Sequence, residues 1–235
     1  MEKLPNRRFF VVIHTITNGL LHALSEAVVS RQAGADGIFL IPDYAKGNKK
    51  ATTEDQFLYL EKLKEKLPDF SVGVNFLVAP ESLVPRIYAI APDLYQTDSS
   101  SDSRIERDRL PNTEFFLGLA FKYSKNVHLT GDALKEHCEK VSSIADVPTT
   151  SGDATGIEAD MDKVREIRSY LPTSKRLGIA SGVTEENVRE YLKEGVTDFL
   201  VATSLIEGLN EADGSDVLSF SKVSKMAEII HTYRG

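Results

Sequence analysis

Residues 9–13 read Phe-Phe-Val-Val-Ile and residues 37–41 read Gly-Ile-Phe-Leu-Ile, and between them residues 22–32 carry a helical pattern that stops at Gly34. Runs this short and this apolar suit strands covered on both faces, as in a parallel sheet flanked by helices. The alternation continues with helix-like 53–67, strand-like 72–76, helix-like 81–90 and strand-like 93–97. A polar segment, 98–112, precedes strand-like 115–120, helix-like 132–143 and a weaker strand at 147–149. The last third gives helix 160–170, strand 177–180, helix 184–193, strand 199–201 and helix 217–231. Parallel strands need crossovers, and both sheet faces must be covered. Eight such strands in 235 residues therefore predict an α/β fold, a (β/α)8 TIM barrel forming one domain over residues 1–235. The rival is an open doubly wound sheet. Its G-x-G-x-x-G turn is missing after strand 1, where the chain reads His14-Thr15-Ile16-Thr17-Asn18-Gly19.

Glycine punctuates the alternation. Gly34-Ala35-Asp36-Gly37 and Glu194-Gly195-Val196-Thr197-Asp198 each end a helix and enter a strand, where a left-handed residue commonly closes the last turn.

The chain carries 28 basic and 35 acidic residues, a formal charge of −7, with 41% hydrophobic and 27% charged residues. An acidic balance of this kind speaks against gripping nucleic acid or an anionic bilayer as the main task. The early apolar run is far shorter than the roughly 20 residues that cross a membrane, and no secretory pattern precedes a cleavage site. The single cysteine, Cys138, cannot form an internal disulfide or a thiolate zinc site, which suits a reducing compartment. The expectation is a cytoplasmic globular protein with no membrane insertion and no nucleic-acid partner; self-association into a homo-oligomer stays open.

In a TIM barrel the active site lies at the C-terminal ends of the strands. The polar residues there are His14, Asp43, Asn75, Asp98, Lys122 and Asp153 after strands 1 to 6, Ser181 after strand 7, and Thr203 with Ser204 after strand 8. Strand ends are polar in any barrel, so each residue alone also fits a turn or a cap, and only their convergence points to a site. Histidine titrates near neutrality, which makes His14 an acid or base by residue type, or else a satisfied core residue. Lys122 could act as an electrophile, a phosphate partner or a Schiff-base amine. Asp43, Asp98 and Asp153 offer the oxygen ligands that Mg²⁺ takes, whereas nothing in the sequence spells a zinc site.

The sharpest local signal is Ser181-Gly182-Val183-Thr184-Glu185-Glu186-Asn187, followed by Ala202-Thr203-Ser204-Leu205. Gly182 bares its backbone N–H, and Thr203 with Ser204 could open a short helix whose free N–H groups and hydroxyls point the same way, together making an anion pocket for a phosphate. The competing reading makes Thr184 and Ser204 plain helix caps. Ser151-Gly152-Asp153-Ala154-Thr155-Gly156 is either a ligand-approaching loop or a tight turn. Segments 44–52 and 98–112 have the length of lids, with Lys46, Lys49 and Lys50 or Arg104, Arg107 and Arg109 as a positive edge. His22, His128, His137 and His231 read as surface residues, and Cys138 as core.

The runs at 151–156, 181–188 and 202–205 together resemble the BtpA family, named for a photosystem I biogenesis protein, in order and in spacing. Val12-Ile13-His14, Gly34 to Gly37 and Gly73-Val74-Asn75 extend the resemblance over most of the chain. It departs at Tyr123, where the family has histidine after the lysine, and at Ile41-Pro42-Asp43, where only the aspartate is kept. The resemblance implies a phosphate-binding TIM barrel and, more broadly, the ribulose-phosphate-binding barrels, which isomerise, decarboxylate or cleave phosphorylated sugars. The expected function is an isomerase or lyase working by proton transfer on a sugar phosphate or phosphoribosyl compound. The alternative is a non-catalytic assembly factor that binds a protein partner.

Overall fold

Eight parallel strands close into a barrel in the order β1 to β8 around the ring. They are β1 (Arg8–Thr15), β2 (Gly37–Pro42), β3 (Ser71–Val74), β4 (Leu94–Thr97), β5 (Glu114–Gly118), β6 (Val147–Thr150), β7 (Gly178–Ala180) and β8 (Asp198–Val201). The structure is a computed structural model and describes residues 5–43, 49–77 and 81–234. Closure is by β1 on β8, with Val11 opposite Val201, and the longest ladder runs from Phe10 opposite Gly37 to Thr15 opposite Pro42. This is the fold predicted from the alternating pattern.

Inward and outward positions alternate along each strand. The inward set meets in a small interior cluster of Phe10, Phe39 and Phe116, packed edge to face at centroid separations of 5.1 to 5.6 Å, with Val12, Leu94, Val147 and Leu200. Outward residues such as Phe9, Val11, Ile38 and Leu40 join the larger core under the helices. The N-terminal end of the barrel is plugged by charge: Arg8 reaches Asp198 at 2.7 Å and Glu114 at 2.6 Å, and Arg176 holds the other Asp198 oxygen at 2.9 Å. With rings and ion pairs filling the bottom, the space left for a ligand opens at the opposite, C-terminal face.

The crossover helices are α1 (Leu20–Gln32), α2 (Thr53–Lys66), α3 (Val84–Ile90), α4 (Gly131–Ile144), α5 (Met161–Tyr170) and α6 (Val188–Lys193), followed by the closing helix α7 (Phe220–Thr232). A capping box starts α2, in which the Thr52 hydroxyl accepts from Asp55 N–H while the Asp55 carboxylate accepts from Thr52 N–H. Gly34 and Gly195 are left-handed after α1 and α6, as their place at helix ends predicts. Among the described residues no helix is long and apolar enough to cross a membrane.

Four sequence expectations are corrected. The segment 98–112 is not a lid. It replaces the helix of the β4–β5 crossover and is stapled down: Arg104 chelates Asp102 at 2.6 and 2.7 Å, Arg107 bonds Asp146 at 2.8 Å, and the Arg109 guanidinium sits 3.7 Å from the Tyr88 ring centre. Thr203 and Ser204 do open a short helix, the 3-10 turn Thr203–Leu205, but the expected long helix does not follow at 217. The chain then makes a hairpin of β9 (Ile206–Leu209) and β10 (Asp216–Leu218), so α7 starts three residues after the expected position 217. The helix expected from residue 184 begins at Val188, because a turn in which the Thr184 N–H donates to the Asn187 side chain at 2.8 Å precedes it. His137 and His22 are not surface residues. His137 lies on the buried side of α4, and the His22 side chain is 8% exposed beside Glu26. Cys138 is buried, as expected.

Candidate active site

A cavity of about 440 Å³ occupies the C-terminal mouth of the barrel. That lies within the usual range of a small-molecule site. Of the ten site residues predicted from sequence, eight line it: His14, Asn75, Asp98, Lys122, Ser181, Gly182, Thr203 and Ser204.

One wall is a hydrogen-bonded amide–carboxylate set. The Asn75 side-chain amide donates to the Gln96 carbonyl and, at 2.9 Å, to Asp98 Oδ1, which also accepts from Gln96 Nε2 at 3.1 Å. Asn75 Oδ1 in turn accepts the Leu77 N–H at 2.8 Å, so neither amide is free to flip without losing a partner. Gln96 is the residue the sequence reading missed. A period of two from Asp98 puts it on the same inward face, and a lone amide inside an apolar strand is the signal that finds it.

Lys122 stands next along the wall. Burial pushes its ammonium below the ordinary lysine value, and the Asp98 carboxylate only partly restores it. Its Nζ donates to the Thr155 hydroxyl at 3.3 Å. The backbone under it is fixed at two points. Lys122 N–H donates to the Ser151 hydroxyl at 2.8 Å, and Lys163 on α5 donates its ammonium to the carbonyls of Ala120 at 2.6 Å and Ser151 at 3.0 Å. Ala120 and Tyr123, on either side of Lys122, both have left-handed backbones, as do Leu77 and Ser181 elsewhere on this face. Such strain collects where surrounding contacts over-determine a functional loop.

The opposite wall is backbone. The Ser181 hydroxyl donates to Ala154 O at 2.9 Å and to Ile157 O at 3.0 Å, and the Ser204 hydroxyl donates to Val183 O at 2.7 Å. Both serines therefore tie the loops after β6, β7 and β8 together and have no proton left for a ligand. What this wall offers are amides: no described acceptor receives the N–H of Gly182, Val183, Thr203 or Ser204. Gly182 has φ +61°, and a Cβ there would stand 2.2 Å from the amide nitrogen of Glu158, so glycine is required by the fit of the two loops.

His14 closes a third side, with Nδ1 3.0 Å from the Asp216 carboxylate on β10. Two predicted residues are not brought to the cavity. The Asp153 side chain is 69% exposed, lies 3.9 Å from His128 and acts electrostatically on Lys163; the β6 loop turns Thr155 and Gly156 inward and Asp153 out, a direction set by backbone dihedrals that spacing cannot show. Asp43 is buried at the end of β2 but does not line the cavity, and residues 44–48 after it, with Lys46, lie outside the described ones. Among the described residues no three His, Cys, Asp or Glu side chains converge as metal ligands.

No family model matches the chain, and no curated sequence does. Solved structures do. Phosphoribosyl anthranilate isomerase from Thermus thermophilus superposes with a TM-score of 0.65 at 16% identity, covering 97% of this chain and 100% of its own. Thiamine phosphate pyrophosphorylase from Pyrococcus furiosus gives 0.64 at 15%, over 95% of both chains. (S)-3-O-geranylgeranylglyceryl phosphate synthase from Thermoplasma acidophilum, solved with sn-glycerol-1-phosphate, gives 0.60 at 14%, over 97% and 94%. The chain has the TIM-barrel fold. These structural neighbours, by their names, are barrel enzymes of phosphorylated compounds.

Proposed function

We propose that the protein is an enzyme that binds a small phosphorylated metabolite in the barrel mouth and moves a proton on it, in an isomerase- or lyase-type reaction. One observation carries the reading: a single cavity combines a desolvated lysine beside a carboxylate with a wall of unpartnered backbone amides. The amides of Gly182, Val183, Thr203 and Ser204 hold the phosphate, since backbone N–H groups after β7 and β8 suit an oxyanion. Lys122 is the acid or base at the reacting end. Burial brings its pKa toward the working range, and Asp98 steadies the ammonium when the proton is on it. Asn75 and Gln96 orient Asp98, and His14, backed by Asp216, is the second proton carrier. The names of the structural neighbours and the BtpA-like order of the 151–156, 181–188 and 202–205 runs support the same reading.

The test is a thermal-stability screen of phosphorylated sugars and nucleotides, in which a ligand at about one hundred times its Kd adds roughly 2.7 kcal/mol. Stabilisation that disappears in Ser204→Trp supports the phosphate wall. Unaltered affinity in that variant overturns it.

A second reading, the assembly factor, has one feature in its favour. Leu21 and Val28 lie seven residues apart on α1 and are 81% and 39% exposed. A protein partner or a second copy of the chain could cover that stripe, and a screen with no stabilising phosphate compound would shift the weight to it.

A further inference from the structure

We infer that the organic part of the ligand is apolar and unhydroxylated, so that the substrate is a phosphate ester of an aromatic or hydrocarbon body and not of a polyol. The inference rests on the phosphate-binding reading above and narrows it. A polyol needs a donor or acceptor for each buried hydroxyl, or it loses the water it gives up. Among the described residues this cavity supplies few of them, Thr155, Thr184 and Thr203 being its lining threonines. The hydroxyls of Ser181 and Ser204 donate to backbone carbonyls, and the Asn75 and Gln96 side chains are engaged with each other and with Asp98. Polar side chains that can meet a ligand are gathered at the Lys122–Asp98 end with Thr155, at His14, and at Thr184 and Thr203 beside the amide wall, which the phosphate itself occupies.

The rest of the surface is hydrocarbon. Val12, Ile41, Ala180, Leu200 and Ala202 form the floor above the phenylalanine cluster. At the mouth, Leu77 and Tyr123 line the cavity while 41% and 73% exposed. Both sit on left-handed backbone, at φ +56° and +60°. Large apolar side chains held there at a conformational cost, with their faces in water, are arranged to cover something apolar. The ligand this surface accepts has a phosphate on the amide wall, a polar reacting carbon near Lys122, and a flat apolar body between floor and rim.

The experiment is calorimetric titration of the full chain with phenyl phosphate, ribose 5-phosphate and inorganic phosphate. Phenyl phosphate is expected to bind at least tenfold tighter than ribose 5-phosphate. In a Leu77→Asn, Tyr123→Asn double variant, whose asparagines accept left-handed backbone, that ratio should fall to about threefold or less. A Tyr123→Phe variant should keep it, which separates the ring from the hydroxyl that meets Thr155. Ribose 5-phosphate binding as tightly as phenyl phosphate, or a ratio unmoved in the double variant, overturns the apolar-body inference and leaves the phosphate reading standing. If neither ester nor inorganic phosphate binds, the phosphate reading fails and the inference falls with it.

Discussion

Nδ1 of His14, at the end of β1, lies 3.0 Å from Oδ2 of Asp216 in the hairpin that follows β8, with both side chains 17% exposed. The contact ties the first strand of the barrel to a segment 202 residues away, and the tied segment begins directly after the proposed phosphate amides. A second tie lies alongside, where Leu218 N–H donates to Glu26 on α1 at 3.0 Å. The hairpin is therefore a strap fastened to β1 and α1.

Cutting the first tie should loosen the strap without unfolding the barrel. Asp216→Ala is expected to lower global stability by about 1 kcal/mol. Amide exchange in residues 206–218 should accelerate at least tenfold while that of β1 to β7 stays close to the parent. Uniform acceleration over the whole chain would show instead that the hairpin belongs to the global folding unit.

The second tie has a pH signature. Burial pushes the Glu26 carboxyl up to about 6, so the folded protein holds a proton there that the unfolded chain, near 4.5, has given up. Stability from this group is present below pH 4.5 and is lost as pH rises through 6. Glu26→Gln keeps an acceptor for Leu218 N–H and removes the cost of a buried charge. It should raise stability at pH 7.5 by up to about 2 kcal/mol and flatten the profile between pH 4.5 and 6. His22, 3.9 Å from Glu26 and held below its usual value by burial, acts with the opposite sign, adding stability as pH rises through 6.5. Denaturant titrations of Glu26→Gln and His22→Gln across pH 4 to 8 separate the two, and a Glu26→Gln profile as steep as the parent's would remove the carboxyl from the account.

The same neighbourhood shows where the sequence is legible and where it is not. Strands such as 9–13 and 37–41 can be read because a strand covered on both faces must be apolar throughout, and an apolar run is visible without knowing its neighbours. Asn75, Asp98 and Lys122 are legible because a parallel barrel sends every strand end to one face. The hairpin is not: Val217-Leu218 continues the apolar pattern of α7, and only Asp213-Gly214, a turn dipeptide, marks the break. Asp153 fails for a related reason, since the direction of a loop side chain depends on dihedrals and not on spacing. For Ser181 and Ser204 the place is legible but the hydroxyl partners are not. Their hydroxyls are taken by carbonyls of neighbouring loops, a tertiary contact that no local pattern encodes.

Gly182 separates structure from binding. Alanine there meets both a left-handed φ of +61° and a 2.2 Å approach to Glu158 N, so Gly182→Ala should cost about 1 to 3 kcal/mol. Because the loops after β6 and β7 are forced apart, phosphate-ester binding should weaken at least tenfold even at temperatures where the variant is fully folded. Unchanged melting temperature and unchanged affinity together would mean that the two loops part freely and that the amide wall is not built by their contact.

Lys122 gives the most direct test of the proposed lysine–aspartate wall. Its ammonium is held below the ordinary lysine range by burial and is partly restored by Asp98, so at pH 8 more of it is free amine than at a surface lysine. In pulse labelling with an amine-reactive reagent, followed by peptide mass spectrometry, Lys122 should modify faster per accessible area than the exposed Lys62 or Lys66. Asp98→Asn removes the carboxylate that favours the charged form, so the pKa should fall further and labelling at pH 8 should quicken by roughly threefold to tenfold, with the gain shrinking as pH rises and the parent lysine loses its own proton. Lys163 tests the scaffold separately. Lys163→Met frees the carbonyls of Ala120 and Ser151 that it clamps, and should blur the labelling contrast between Lys122 and surface lysines without the pH shift that Asp98→Asn produces. Slower labelling in Asp98→Asn would place the ammonium outside the field of that carboxylate and would remove the lysine–aspartate pair from the proposed chemistry.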